Sequence, residues 1–357
     1  MTDRSAMQSL RQHWPLASAP RPIVIIGAGS IVSDAHLPAY GKAGYPVLGI
    51  YDPDQEKASQ LAAQWDCQAF STLAEATAEK SVVFDLAIPP AAIVGVLDQL
   101  PQGAAVLIQK PMGSDLAEAT EILALCRAKD LQAAVNFQLR FSPMMLALQD
   151  AIDKGMLGEV LDFDAWLALD TPWGLWKFLE GLPRVEITLH SIHYLDLIRA
   201  VLGNPLGIHA RTLGHPSSSM AQTRTSAILD YGDRVRCCLS INHDHAYGRR
   251  FQACEFRVCG SAGAAYVKLG VNLDYPHGEP DELWIKQGTD EWQQVSLTGE
   301  WFPDAFASRM SQLQRFLTGE DERLISNVED SWQTMALVEA AYNSSAAPAT
   351  PIAGLPE

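Results

Sequence analysis

In the stretch HSIHYLD, His190 and His193 stand three residues apart and Asp196 three further on, with apolar Ile192, Leu195, Leu197 and Ile198 filling the gaps. On a helix this spacing gathers the polar groups on one stripe. An imidazole, whose ordinary pKa is about 6.5, can take a proton from a hydroxyl near neutral pH and return it. Upstream, LIQKPMG sets Lys110 between an apolar strand and a proline. An ammonium there can hydrogen-bond a hydroxyl and shift the proton balance at the carbon that bears it. Plainer readings stand beside these: histidines satisfied inside a helix contact, and an ordinary lysine at the end of a strand.

The elements that must position these groups fall into two textures. From residue 23 to 135 the chain alternates strand and helix: PIVIIGAGS, VLGIYD, VVFDLAIPP, AAVLIQKP and QAAVNFQL are apolar strands, and QEKASQLAAQW, AAIVGVLDQL and LAEATEILALCRAKD are helices. That rhythm predicts a parallel sheet covered on both faces. Lys110 then falls at the carboxyl edge, where open α/β sheets bind ligands. After residue 137 longer alternating strands predict a mostly antiparallel sheet. Two helices follow, DAFASRMSQLQRFLTG closing on Gly319 and VEDSWQTMALVEAAYNSSA opening on Asn327 as its cap. The expected organisation is an extension over 1–21, an α/β dinucleotide-binding domain over 22–136, and an α+β domain over 137–357 that includes the terminal helices and serves substrate binding and oligomerisation.

The run Gly27-Ala28-Gly29-Ser30-Ile31-Val32 sits where the first strand becomes a helix. Glycines at 27 and 29 permit a tight turn and close approach of a pyrophosphate to the helix N-terminus, although Val32 replaces the third glycine of the dinucleotide fingerprint. Asp52, 25 residues beyond Gly27, ends the second strand, where a carboxylate can accept from an adenosine ribose; it can equally cap the YDPDQEK turn. Pro53 follows it rather than an arginine that would welcome a 2'-phosphate, which favours NAD over NADP.

The bulk numbers exclude other classes. A formal net charge of -16 disfavours phosphate backbones and anionic lipid, so neither nucleic acid nor membrane is an expected partner. Six cysteines without a CxxC pair argue against zinc or redox motifs. No apolar run approaches the ~18 residues of a membrane span, and the first twenty residues lack the apolar core of a secretion signal, so a cytoplasmic protein with a loosely ordered or partner-clasping lead segment is expected.

Seven short pieces, IGAGSI, AIPP, QKP, LRFSP, GMLGEV, HYLD and EAAYNSS, occur in an order and spacing that resemble the glucose-fructose oxidoreductase / inositol dehydrogenase family (Gfo/Idh/MocA), from about residue 22 to 346. The resemblance implies a Rossmann domain followed by an open-faced sheet domain, with a nicotinamide between them and hydride exchange with a sugar, sugar acid or polyol. It implies cofactor contacts from Gly27, Gly29, Ser30, Ile31, Asp52, Ile88, Pro89, Gln109, Lys110, Trp176 and Lys177. The family's EKP element is similar to Gln109-Lys110-Pro111, which makes Lys110 the catalytic lysine. Its WR element resembles Trp176-Lys177, and His193 matches the histidine of its D-x-x-x-H element, the proton carrier. Where the family has that aspartate, this chain has Leu189. Glu186 is the expected replacement carboxylate, His190 and Trp176 are candidate substrate contacts, and Arg184, in a PRVE segment that replaces a glycine run, is the candidate partner of a substrate carboxylate.

Trp173 and Trp176 flank Gly174 in a Pro/Gly loop and either cover a ring or pack in the core. INHDHAYGRRF carries His243, His245, Arg249 and Arg250, which either contact substrate or bind a neighbouring subunit. His243 and His245, at i,i+2, form a potential metal pair without a convincing third ligand, so no metal is expected. The chain is read as an NAD-dependent dehydrogenase, including one whose transient oxidation serves isomerisation. The alternative is a catalytically silent NAD-binding regulator, which the loss of acidic residues at Leu189 and Gln109 keeps open. Broad alternating strands over 205–290 predict a homodimer or homotetramer formed through the sheets.

Overall fold

The computed structural model describes residues 7–175, 179–274 and 278–353. Six short strands form a wholly parallel sheet: β1 (Ile23–Ile26), β2 (Val47–Tyr51), β3 (Gln68–Ala69), β4 (Val83–Leu86), β5 (Ala105–Gln109) and β6 (Gln132–Asn136). Their spatial order is β3-β2-β1-β4-β5-β6. The chain reverses direction across the sheet between β1 and β4, which opens the crevice at their carboxyl ends. Four of the helices between the strands are α1 (Leu37–Ala43), α2 (Gln55–Gln64), α3 (Leu73–Thr77) and α4 (Ile93–Leu97), and α5 (Leu116–Ala128) leads into β6. All four residues of β1 are buried, as an interior strand covered on both faces requires. The five strands expected from sequence are present; β3, two residues long, lay below the reach of an apolar-run argument.

Beyond α6 (Pro143–Asp153) lies an eight-stranded sheet built from β7 (Val160–Ala168), β8 (Gly207–Leu213), β9 (Arg224–Asp230), β10 (Arg236–Asn242), β11 (Ala253–Gly260), β12 (Gly263–Lys268), β13 (Glu282–Gln287) and β14 (Gln293–Gln294). The order is β14-β13-β12-β11-β7-β10-β9-β8. Among the described residues of this sheet, only β7 and β10 pair in parallel. One face packs on α7 (Ile192–Leu202), through contacts such as the Tyr194 ring edge-on to Phe256 at 5.1 Å. The chain thus folds as a parallel Rossmann sheet followed by a mixed, mostly antiparallel sheet domain.

Two boundaries differ from the expectation. The helix α8 (Asp304–Leu317) was assigned with the second domain, yet Phe306, Met310 and Leu313 share a core with Ile23, Ile25, Ile50 and Leu107 of the first. Its apolar stripe completes a core that α1 and α2 also supply, through Leu37, Tyr40 and Leu61. The last helix, α9 (Val328–Ala346), is capped by the Asn327 side chain, which accepts from the Asp330 N–H at 2.8 Å. It bridges the domains: Trp332 donates to Thr120 on α5 at 2.9 Å, and the Ser345 hydroxyl accepts from the Thr212 N–H on β8 at 2.9 Å. The lead segment, from residue 7 onward, clasps its own chain. Trp14 donates to Asp321 at 2.6 Å and Gln12 to the Ser296 carbonyl at 2.9 Å, while Met7 and Leu10 are buried.

Candidate active site

At the carboxyl end of β1, Gly27 adopts φ +115°, and a Cβ there would stand 2.3 Å from the Ala87 carbonyl oxygen. Only glycine allows β1 and β4 to approach so closely while the chain turns. The Gly27 N–H donates to the Tyr51 carbonyl at 2.7 Å, and the Ala28 N–H to Asp52 Oδ2 at 2.7 Å. Asp52 Oδ1 accepts from the Asp54 N–H at 2.8 Å. Asp52 therefore ties the glycine loop to β2 and also caps its own turn. Each oxygen keeps a lone pair beyond these bonds, and the half-buried carboxylate borders the crevice. Gly29 and Ser30 are exposed, with open space beyond the Gly29 backbone, while Ile31 is half-buried. Ile88 and Pro89 follow β4 at the same edge, and Gln109 ends β5 and accepts from the Asn136 amide at 2.9 Å. Glycines at the close approach, an open helix start and a carboxylate at the end of β2 together fit a dinucleotide. Trp176 and Lys177 lie outside the described residues.

Lys110, the residue after β5, points across the domain junction and donates to the Leu189 carbonyl at 2.9 Å. Loss of water lowers its ammonium from 10.5 to about 8. His193, in the first turn of α7, is 6% exposed; burial first, and then the Lys110 charge, holds it well below the ordinary imidazole value. Its ring lies edge-on to Trp301 at 5.9 Å, and its Nδ1 has no hydrogen-bond partner among the described residues. A neutral imidazole and a lowered ammonium in one desolvated pocket can accept a proton and steady an oxyanion. Asp196 does not share this work: Arg140 of the LRFSP piece holds it from two nitrogens, at 2.5 and 2.6 Å, and Thr334 donates to it at 3.0 Å.

The turn before α7, Ile187–Ser191, is wound as a π-helix, a form frequent at functional sites. Leu189 stands in this turn and packs on the buried cluster of Leu179, Val185 and Met220, as Trp173 also does. The site thus offers Lys110 a backbone carbonyl where the resemblance implies a carboxylate. Glu186 is fully buried: its Oε1 accepts from the Ser191 hydroxyl at 2.6 Å and its Oε2 from the Thr225 hydroxyl. Both oxygens of Glu186, the expected replacement for the aspartate, are thus engaged by hydroxyls of its own chain. Arg184, the candidate partner of a substrate carboxylate, has a partner within the chain. Both its terminal nitrogens bond Glu339 of α9, at 2.5 and 3.0 Å, and it lies over the Tyr342 ring, so its charge is already matched.

His243, one of the candidate substrate contacts of the INHDHAYGRRF segment, joins this group. It follows β10, and its Nδ1 meets the Thr171 hydroxyl at 2.7 Å. Its ring stands 4.3 Å from that of His190 and 5.1 Å from that of Trp173, so Trp173 packs over a histidine here. Its Nε2 faces Glu186 Oε1 at 3.5 Å. His190 is half-buried and held well below the ordinary value by burial first, then by His243, His193 and Lys110. His245 stands apart beside Tyr247, because the strand geometry that would align it with His243 ends at Asn242. Arg249 is paired with Glu279 at 2.5 Å, and Arg250 lies over Phe251. Nothing in the spacing of residues 190 and 243 announces their meeting; the turn before α7 lying against the end of β10 produces it.

A family model described as an oxidoreductase family with an NAD-binding Rossmann fold matches residues 21–137, and one described as the GFO/IDH/MocA C-terminal domain matches residues 145–266. Among curated proteins, the chain is 29% identical over 128 residues to the oxidoreductase YceM of Salmonella typhimurium, covering 36% of this chain and 42% of that protein. It is 21% identical over 259 residues to D-apiose dehydrogenase of Rhizobium rhizogenes, covering 67% of this chain and 70% of that enzyme. Among solved structures, an oxidoreductase from Agrobacterium radiobacter in complex with NAD+, L-tartaric acid and magnesium superposes with a TM-score of 0.76 at 19% identity, over 92% of this chain and 97% of that one. With both domain models matched in order, and a Rossmann crevice facing a sheet domain across Lys110 and His193, the chain belongs to the Gfo/Idh/MocA family of NAD(P)-binding oxidoreductases.

Proposed function

We propose that the protein is an NAD-dependent dehydrogenase of a secondary hydroxyl on a sugar, sugar acid or polyol. The observation that carries this reading is the neighbourhood of Lys110 and His193, close enough for the ammonium to depress the imidazole inside a desolvated pocket. A pair of titratable groups shifted together by burial at a crevice is a mark of chemistry. When bound, the nicotinamide supplies the hydride acceptor. His193, neutral at working pH, takes the hydroxyl proton as the C–H hydride leaves. Lys110, held toward the pocket by the Leu189 carbonyl, donates to the oxygen and stabilises its developing charge. The Asp52 carboxylate at the end of β2 supports NAD over NADP, since a 2'-phosphate would meet a negative charge.

The test is NADH formation at 340 nm across sugars, aldonates and polyols, with NAD and NADP in parallel, for wild type and His193→Ala. We expect turnover with NAD and a loss of about 10²- to 10⁴-fold in the variant, with NAD binding retained. Tight NAD binding with no turnover anywhere on the panel would favour the regulator reading, which the apolar surroundings of Leu189 support. The outward face of the large sheet supports assembly of two copies: Trp166, Leu213 and Ile228, on β7, β8 and β9, are 43%, 46% and 54% exposed.

A further inference from the structure

Glu186 and His190 are four residues apart, one turn of helix, and His243 arrives opposite them from the end of β10. One ligand atom from each lies within 4.8 Å of the others. Three features set this cluster apart from an ordinary polar contact. First, the Nε2 of His243 is buried without a hydrogen-bond partner among the described residues, although Glu186 Oε1 faces it at 3.5 Å. A charge-assisted hydrogen bond would close to about 2.7–2.9 Å. The observed gap is close to the edge of a tetrahedron with metal–ligand bonds of about 2.0–2.1 Å, roughly 3.3–3.4 Å. Second, the Nδ1 of His190 is buried and likewise has no partner among the described residues.

Third, the supporting groups that a metal site needs are already in place. The Nδ1 of His243 is engaged by the Thr171 hydroxyl at 2.7 Å, which fixes the ring and leaves Nε2 as the free nitrogen. Ser191 and Thr225 donate to the two oxygens of Glu186, which orients the carboxylate. We propose that Glu186, His190 and His243 hold one divalent transition-metal ion, with zinc the best chemical match. Two imidazoles and a carboxylate give three protein ligands, the set of a zinc site with a fourth position open. His190 is the half-buried member and marks the access side, and it is also the ligand within electrostatic reach of Lys110 and His193. An ion there favours substrates with two adjacent oxygen donors, an α-hydroxycarboxylate or a vicinal diol. That last step rests on the dehydrogenase reading; metal binding itself does not.

The test uses the full chain, stripped with a chelator and titrated with zinc alone, without NAD, by calorimetry and elemental analysis; cobalt(II) supplies a spectrum of tetrahedral coordination. We expect one zinc per chain. His243→Ala should weaken binding about a hundredfold, Thr171→Val about tenfold, and His209→Ala, on the exposed edge of β8, not at all. Circular dichroism checks each fold, and Thr171→Val, which removes no ligand, decides the matter if His243→Ala does not fold. No stoichiometric zinc, or wild-type affinity in both His243→Ala and Thr171→Val, overturns the proposal. Zinc binding without turnover on any substrate would sink the dehydrogenase reading alone, and turnover in a chain that binds no zinc would sink the metal site alone.

Discussion

Lys110 carries two opposing demands. Burial lowers its ammonium to about 8, yet the proposed reaction needs it charged to steady an oxyanion. We therefore expect kcat/KM to fall as pH rises through about 8, and Lys110→Arg, whose guanidinium stays charged, to remove that fall if any activity survives. The folded pKa is depressed below the unfolded value of 10.5. Between about 8 and 10.5 the unfolded chain binds more protons, so this residue adds stability as pH rises and costs most below 8. Lys110→Met should accordingly abolish turnover and raise stability at pH 7, on the order of 1–2 kcal/mol in urea denaturation; a destabilised variant would show that the ammonium is better solvated than its position implies. Lys110 and His193 were legible because local patterns placed both, a strand end and a helix stripe. The pairing of Arg184 with Glu339 leaves no local mark, because the two lie 155 residues apart. His243 was named in sequence, but its company there was not, since long-range strand pairing leaves no local mark.

At the level of elements, α7 is the bracket that holds His193, and its anchor is Asp196. That carboxylate is 1% exposed and bound to Arg140, which also reaches Asp330 at 3.0 Å. Breaking a buried pair strands the remaining charge. Asp196→Ala should therefore cost about 3–5 kcal/mol, read as a shift of the urea midpoint, and lower kcat through misplacement of His193; a variant with unchanged stability would mean that Asp330 alone satisfies Arg140. The period of HSIHYLD correctly announced a helix with a polar stripe, whereas the division of labour along that stripe was settled by Arg140 in another element. The π-wound turn at 187–191 was invisible for a related reason: one extra residue in a turn changes no hydrophobic period that a short segment can display.

On the scale of the whole molecule, alternation of strands announced the parallel sheet, and longer alternating runs announced the antiparallel one. The domain border was less legible, because an amphipathic helix does not say which apolar face it will cover. The exposed Trp166, Leu213 and Ile228 make the large sheet the expected self-association surface, and sedimentation velocity should show a species of twice 38.9 kDa. A monomer whose mass holds as concentration rises would contradict it. The position of α8 also has a consequence for biosynthesis. The sheet strands end at Asn136, but the core they share with Leu313 waits for the ribosome to add the intervening chain, on the order of 10–40 s at ordinary elongation rates. During that interval the nascent Rossmann half exposes the face that Phe306 and Met310 will cover, so its early life depends on whatever shields that face until the helix emerges.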